Sequence, residues 1–178
     1  MDKKYPVFSE KRVLVVEDSP DFSHFLEVQL GAKGFLATCV DNERDALEWV
    51  EESSDLDVAI LDMYVPSTPG GAYDSVMRGE RIAVAIRSAY PDCIIVGISN
   101  KMDTAPRTHI TNLFDSFFPK INWDPFSEPK MLWEDLENHL AGGANKKPRA
   151  FIVHGHDEAL VEELTLLLRD TYDFPTPI

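Results

Sequence analysis

Val58-Ala59-Ile60-Leu61-Asp62 is the stretch that decides the fold. A short run that is apolar throughout reads as a strand covered on both faces, because a half-exposed strand would alternate. The run closes on Asp62, so the strand delivers a carboxylate to the C-terminal edge of its sheet. Working outward, Val13-Leu14-Val15-Val16 closes on Glu17-Asp18. Cys93-Ile94-Ile95-Val96-Gly97-Ile98 closes on Ser99, and Phe117-Phe118-Pro119 closes on Lys120. Three acids, a hydroxyl and an ammonium thus arrive at strand ends. In open α/β sheets that edge is where ligands bind.

The spacing predicts strands over 12–17, 35–40, 57–62, 93–98 and 115–119, alternating with helices. The first helix opens at Ser19-Pro20, with serine as cap and proline in the first turn, where its missing N–H is harmless. Phe22, Phe25, Leu26 and Leu30 recur on one face, and Gly31 and Gly34 close the segment. A second helix follows Asp41 with Ala46, Leu47 and Val50 inward. A third covers Arg81–Ala89, after a Gly-, Pro- and Ser-rich loop from Ser67 to Met77. A fourth, around Arg107–Phe114, is opposed by β-branched residues and Pro106. A fifth covers Lys130–Leu140. This alternation implies right-handed crossovers and an α/β, doubly wound, five-stranded parallel sheet over residues 10–140. Ala141-Gly-Gly-Ala-Asn-Lys-Lys-Pro148 has linker composition, giving a linker over 141–149. The pattern then restarts with the strand Ala150-Phe-Ile-Val153, the turn His154-Gly-His156, and a helix capped by Asp157. This partial β–α unit, residues 150–178, is too small to bury a core alone and is expected to be the truncated start of a second domain.

The chain has 178 residues, 44% of them hydrophobic, and a formal net charge of -14. That charge argues against direct nucleic-acid binding, which needs a basic face. No apolar run is long enough to span a membrane, and the N-terminus lacks a signal-peptide core. Cys39 and Cys93 fall within predicted strands and read as small buried hydrophobes, so a cytoplasmic, reducing location is expected.

At about 5 Å, two unit charges repel by roughly 3 kcal/mol at an effective dielectric near 20. Glu17, Asp18 and Asp62 together therefore call for a cation. Mg²⁺ suits them, since it takes oxygen ligands and keeps waters that phosphate oxygens can replace. One carboxylate could then attack a phosphoryl donor. Asp62 stands alone at its strand end and is the expected phosphoacceptor, with Glu17 and Asp18 holding the metal. Lys120 would pair with the phosphoryl charge and Ser99 would donate a hydrogen bond to it. That bond would draw the loop after Ser99 inward and open space for Phe117, making a two-state switch.

These residues resemble the receiver (CheY-like) domain of two-component response regulators, with the flavodoxin-like fold. The resemblance covers about Lys11–Leu140 through Val13-Leu-Val-Val-Glu-Asp-Ser-Pro20, Ala59-Ile-Leu-Asp-Met-Tyr-Val-Pro66, Val96-Gly-Ile-Ser99 and Phe117-Phe-Pro-Lys120. It implies a regulatory phosphoacceptor rather than an enzyme, with phosphate transfer from a sensor histidine kinase to Asp62. It implies Mg²⁺ on Glu17, Asp18, Asp62 and the backbone carbonyl of Tyr64. It implies Ser99 as switch hydroxyl, Lys120 as phosphate lysine and Phe117 as switch aromatic. A homodimer is compatible with it, although no dimer mode is implied. Ile121 stands where the family usually has proline, and Asn100 where it usually has a small residue. Tyr64 lies beside the path of a hydrolytic water, so its bulk should slow hydrolysis of the aspartyl phosphate.

Phe151-Ile-Val-His-Gly-His-Asp157 resembles the opening of the TIR-like predicted nucleotide-binding domains of bacteria. It implies an output domain linked to nucleotide binding or NAD cleavage, most of it absent from this sequence. His154 and His156 alone are too few ligands for a metal site. Two other functions compete. An aspartyl-nucleophile phosphatase or phosphotransferase of haloacid-dehalogenase type would place a second acid two residues after the nucleophile, where Tyr64 stands. A phosphate-independent receiver-like binding module would not need the full residue set.

Overall fold

The computed structural model describes residues 8–72, 75–100, 113–120 and 130–141. All of them lie in the first of the two units into which the chain divides, Met1–Ala141. The predicted β–α unit at 150–178 and residues 142–149 of the predicted linker lie outside the described residues.

Five strands are formed: β1 (Arg12–Val16), β2 (Leu36–Val40), β3 (Val58–Asp62), β4 (Ile94–Ser99) and β5 (Ser116–Pro119). The described helices are α1 (Pro20–Lys33), α2 (Glu43–Glu52), α3 (Arg78–Ala89) and α4 (Lys130–Ala141). The sheet is parallel throughout, in the order β2-β1-β3-β4-β5. This is the doubly wound, flavodoxin-like arrangement.

The two faces of each central strand follow the period of two. Leu14, Val16, Ala59, Leu61 and Ile95 face one way, packed with Ala46 and Val50 of α2 and Ile82 and Ile86 of α3. Val13, Val15, Val58, Ile60, Ile94 and Val96 face the other, packed with Leu26 and Leu30 of α1 and Leu132 and Leu136 of α4. Every residue of β3 and β4 is buried, which is why their sequences are unbroken apolar runs.

Several expectations are corrected. β2 is an edge strand whose first residue is exposed and whose others are half-buried, so it is not covered on both faces. Cys39, within it, is therefore half-buried; Cys93 is buried but precedes β4. Gly31 does not close α1. The helix continues to Lys33 and ends at Gly34, whose φ of 95° is left-handed and whose N–H donates to Gly31 O at 3.0 Å. A glycine within a helix costs only about 1 kcal/mol, whereas a left-handed cap strongly favours glycine. Ser19 occupies the N-cap of α1 without a side-chain capping bond. α3 starts at Arg78, three residues before its predicted start. Most of the predicted helix at 107–114 lies outside the described residues, and Leu113 and Phe114 precede β5 outside any helix. Among the described residues, no helix is long and apolar enough to cross a membrane.

Candidate functional site

The strand register aligns the predicted residues along one rim. Val16 pairs with Leu61, Asp62 with Ile98, and Ser99 with Pro119. The chain therefore leaves β1 at Glu17-Asp18, β3 at Asp62, β4 at Ser99 and β5 at Lys120 on the same C-terminal edge.

Four of these side chains meet. One carboxylate oxygen each from Glu17, Asp18 and Asp62 lies within 4.8 Å of the others. Lys120 Nζ lies 2.5 Å from Asp62 Oδ2 and 2.5 Å from Glu17 Oε2. Asp62 Oδ1 accepts the Tyr64 N–H at 3.1 Å, and Glu17 Oε1 accepts the Ser19 N–H at 3.0 Å. Each of the two buried carboxylates is thus held by a local backbone donor on one oxygen and by the lysine on the other. Glu17, Asp62 and Lys120 are 1%, 6% and 7% exposed, while Asp18 is half-buried. An open groove of about 400 Å³, lined by Glu17, Asp18, Ser23, His24, Asp41 and Asp45 among others, adjoins the site on the β2 side.

Burial sets the electrostatics. It pushes the Glu17 carboxyl up from 4.5 to about 7; Lys120 opposes this and the charge of Asp62 adds to it. Burial also raises Asp62, again against the pull of Lys120. Burial would lower the Lys120 ammonium, but Asp62 and Glu17 outweigh it and hold its pKa above the usual value. The donor set fits a hard divalent cation. All the side-chain ligands are carboxylate oxygens, and buried Glu17 Oε2 accepts no hydrogen bond beyond its ionic contact with Lys120. These are the ligand types Mg²⁺ selects.

The backbone after Asp62 is fastened on several sides. Met63 O accepts from Gly79 N at 3.2 Å, Pro66 O from Glu43 N at 2.9 Å, and Ser67 O from Arg44 N at 3.1 Å. Arg78 Nε lies 3.1 Å from Glu43 Oε2 within a buried ion pair, and Arg81 reaches the other oxygen at 3.0 Å. Gly79 allows α3 to press directly on the acceptor strand, since a Cβ there would lie 2.5 Å from Asp62 O and 2.9 Å from Met63 Cα. Gly79→Ala must shift that backbone, and a loss of about 2 kcal/mol in a urea titration is expected, in the range of overpacking. Wild-type stability would refute the close approach.

Ser99 ends β4 and is 1% exposed. Tyr64 is 8% exposed, and its side chain belongs to the core cluster with Ala46 and Ile82. Phe117 is partly buried against the same cluster and meets Phe114 edge-on at 6.3 Å. Its ring lies over Gly97, where a Cβ would come within 2.5 Å of Phe117 Cδ2. Sequence reading missed Gly79, Gly97, the Glu43–Arg78 pair, and Phe22, whose ring faces Lys120. A glycine beside a helix start or inside an apolar strand is the one local signal available for the first two.

No protein-family model matches the chain. Among solved structures, it is similar to the response regulator TrrA of Thermotoga maritima in complex with Mg²⁺ and BeF. That match has 25% identity and a TM-score of 0.56, over 71% of this chain and 98% of that one. It is similar to the N-terminal domain of a response regulator/sensory box/GGDEF protein of Carboxydothermus hydrogenoformans, at 18% identity and TM-score 0.59, over 75% and 97% of the two chains. It is also similar to a CheY-like receiver domain of Methylobacillus flagellatus, at 21% identity and TM-score 0.55, over 71% and 99%. The fold of the described residues is the CheY-like one shared by these structures.

Proposed function

We propose that this chain is a phosphorylation-dependent signalling switch of the two-component type, a regulatory phosphoacceptor rather than an enzyme. The observation that carries the reading is the meeting of Asp62 with Glu17 and Asp18 within 4.8 Å and with Lys120 at 2.5 Å. The likeness to response regulators and their receiver domains, among them TrrA in complex with Mg²⁺ and BeF, supports it.

Asp62 attacks the phosphorus of a phosphohistidine on a sensor histidine kinase. A P–O bond forms as the P–N bond breaks, and the departing imidazole takes up a proton. Glu17, Asp18, Asp62 and the Tyr64 carbonyl would hold Mg²⁺. When bound, the ion neutralises charge on the phosphoryl oxygens. Lys120 is already beside Asp62 Oδ2 and turns from the carboxylate to the phosphoryl oxygens. Ser99 donates its hydroxyl to the same group. Phe117 reports the change through its packing on Gly97 and Phe114. In this reading the unit acts in the cytoplasm and controls a TIR-like output domain of which residues 150–178 resemble only the start, and a homodimer is one way to transmit the change.

The test is acetyl phosphate with Mg²⁺, read by intact mass. One phosphoryl group per chain, dependent on the ion, is expected. No uptake from any donor would favour a phosphate-independent binding module, and multiple turnover of a phosphate ester would favour a phosphatase. Tyr64→Asn is expected to shorten the phosphorylated lifetime, while Tyr64→Phe, which keeps the bulk in the core, should leave it near wild type. Unchanged decay of Tyr64→Asn in a radiolabel chase would remove the water-shielding role.

A further inference from the structure

Phe22 belongs by spacing to the apolar stripe of α1, and like Phe25 it lies at the half-buried end of that stripe. Leu26 and Leu30 are fully buried, whereas Phe22 is half-buried, and Lys120 Nζ lies over its ring, 5.1 Å from the centroid. The ring also packs against Phe25 at 5.9 Å. Among the described residues, the ammonium thus meets Glu17 Oε2, Asp62 Oδ2 and the face of an aromatic ring.

The chemistry of that third neighbour matters. A lysine ammonium carries three N–H donors on a flexible four-carbon stem. Here it is 7% exposed, so little water reaches it. The negative face of a ring attracts a cation at this distance, and the attraction grows as water is excluded. A third carboxylate or an amide oxygen would also attract it, but would fix it by a directed hydrogen bond and compete with an arriving phosphate. A ring face holds the charge without offering a lone pair, so the ammonium stays free to move between oxygen partners.

We propose that Phe22 is a positioning residue. It holds the charged Lys120 head group at Asp62, ready to leave the carboxylates for a phosphoryl group. This deepens the reading above and rests on it. The role bears on the anion more than on the cation, since Lys120 is no ligand of Mg²⁺, although it touches two of the carboxylates that would hold the ion. Phe22 should therefore change the affinity for a phosphoryl mimic more than the affinity for the cation.

The experiment titrates beryllofluoride in saturating Mg²⁺, and Mg²⁺ alone, into the full chain and into Phe22→Leu, Phe22→Met and Phe22→Tyr. Leu and Met keep apolar bulk without a ring; Tyr keeps the ring. The expected result is an affinity for beryllofluoride about tenfold weaker in Leu and Met, a smaller change in Mg²⁺ affinity in both, and recovery in Tyr. Wild-type beryllofluoride affinity in Leu and Met would overturn the inference and leave the phosphoacceptor reading intact. Equal losses of beryllofluoride and Mg²⁺ affinity, with no recovery in Tyr, would overturn it in favour of a packing role. Failure of the wild-type chain to take beryllofluoride at all would overturn the phosphoacceptor reading and this inference with it.

Discussion

Asp62→Asn is expected to abolish phosphoryl uptake completely while leaving the protein folded. The amide is nearly isosteric with the carboxylate but is no nucleophile toward phosphorus. It retains an oxygen for the Tyr64 N–H, which now donates to Asp62 Oδ1 at 3.1 Å. It also lifts a burden, because burial disfavours the Asp62 charge and that charge raises Glu17 in turn. Lys120 keeps Glu17 as its counter-charge at 2.5 Å. The amide NH2 would then face Lys120 where Oδ2 now accepts from it, so the lysine must turn to Glu17. The variant should stay folded with a somewhat shifted melt, yet gain no mass from acetyl phosphate and Mg²⁺. A full phosphoryl adduct on Asp62→Asn would show that the acceptor lies elsewhere, and a collapsed melt would show that the aspartate is structural.

The second large effect is a pH dependence that a divalent cation reverses. Glu17 is held at about 7 in the folded protein, against 4.5 for a free carboxyl. The folded state thus binds this proton more tightly than the unfolded one. The resulting stability is fully present below about pH 4.5 and is lost as pH rises through about 7. The interval corresponds to about 3 kcal/mol. Asp62 is shifted in the same direction and adds the same sign. Lys120 is also raised, so its contribution is lost only in the alkaline range, outside this window.

A cation needs Glu17 ionised, so it must displace that proton. Added Mg²⁺ should raise the melting temperature little near pH 5, where binding must release about one proton from Glu17, and strongly near pH 8, where Glu17 is already largely ionised and little proton is released. Glu17→Gln should flatten the pH dependence of the ion-free protein and remove the proton release. Calorimetry in two buffers of different ionisation enthalpy measures the proton directly. Equal Mg²⁺ stabilisation at both pH values would refute the buried, protonated Glu17.

The placement of the candidate residues was legible because each is announced locally. A strand end is marked by the residue at which an apolar run stops, and Glu17, Asp62, Ser99 and Lys120 all stand there. The parallel order then places those ends on one rim without further information. Other features are not announced. Gly31 and Gly34 are the same residue type, and only the approach of the chain to β2 makes the second the helix cap. Cys39 looks as apolar as Cys93, but its strand lies at the sheet edge. Phe22 has the spacing of a core residue, and its contact with Lys120 depends on a lysine nearly one hundred positions away in sequence. Gly79 and Gly97 matter because of what presses on them, the Asp62 backbone in one case and the Phe117 ring in the other.

The sequence by itself determined the order of strands and helices and the chemical groups at the strand ends, since periodicity and run length are properties of neighbouring residues. Tertiary structure decided how deeply those groups are buried, in which direction burial shifts their carboxyls, and what stands over the lysine. Solvation and packing are set by residues far apart in the chain, so no local pattern encodes them.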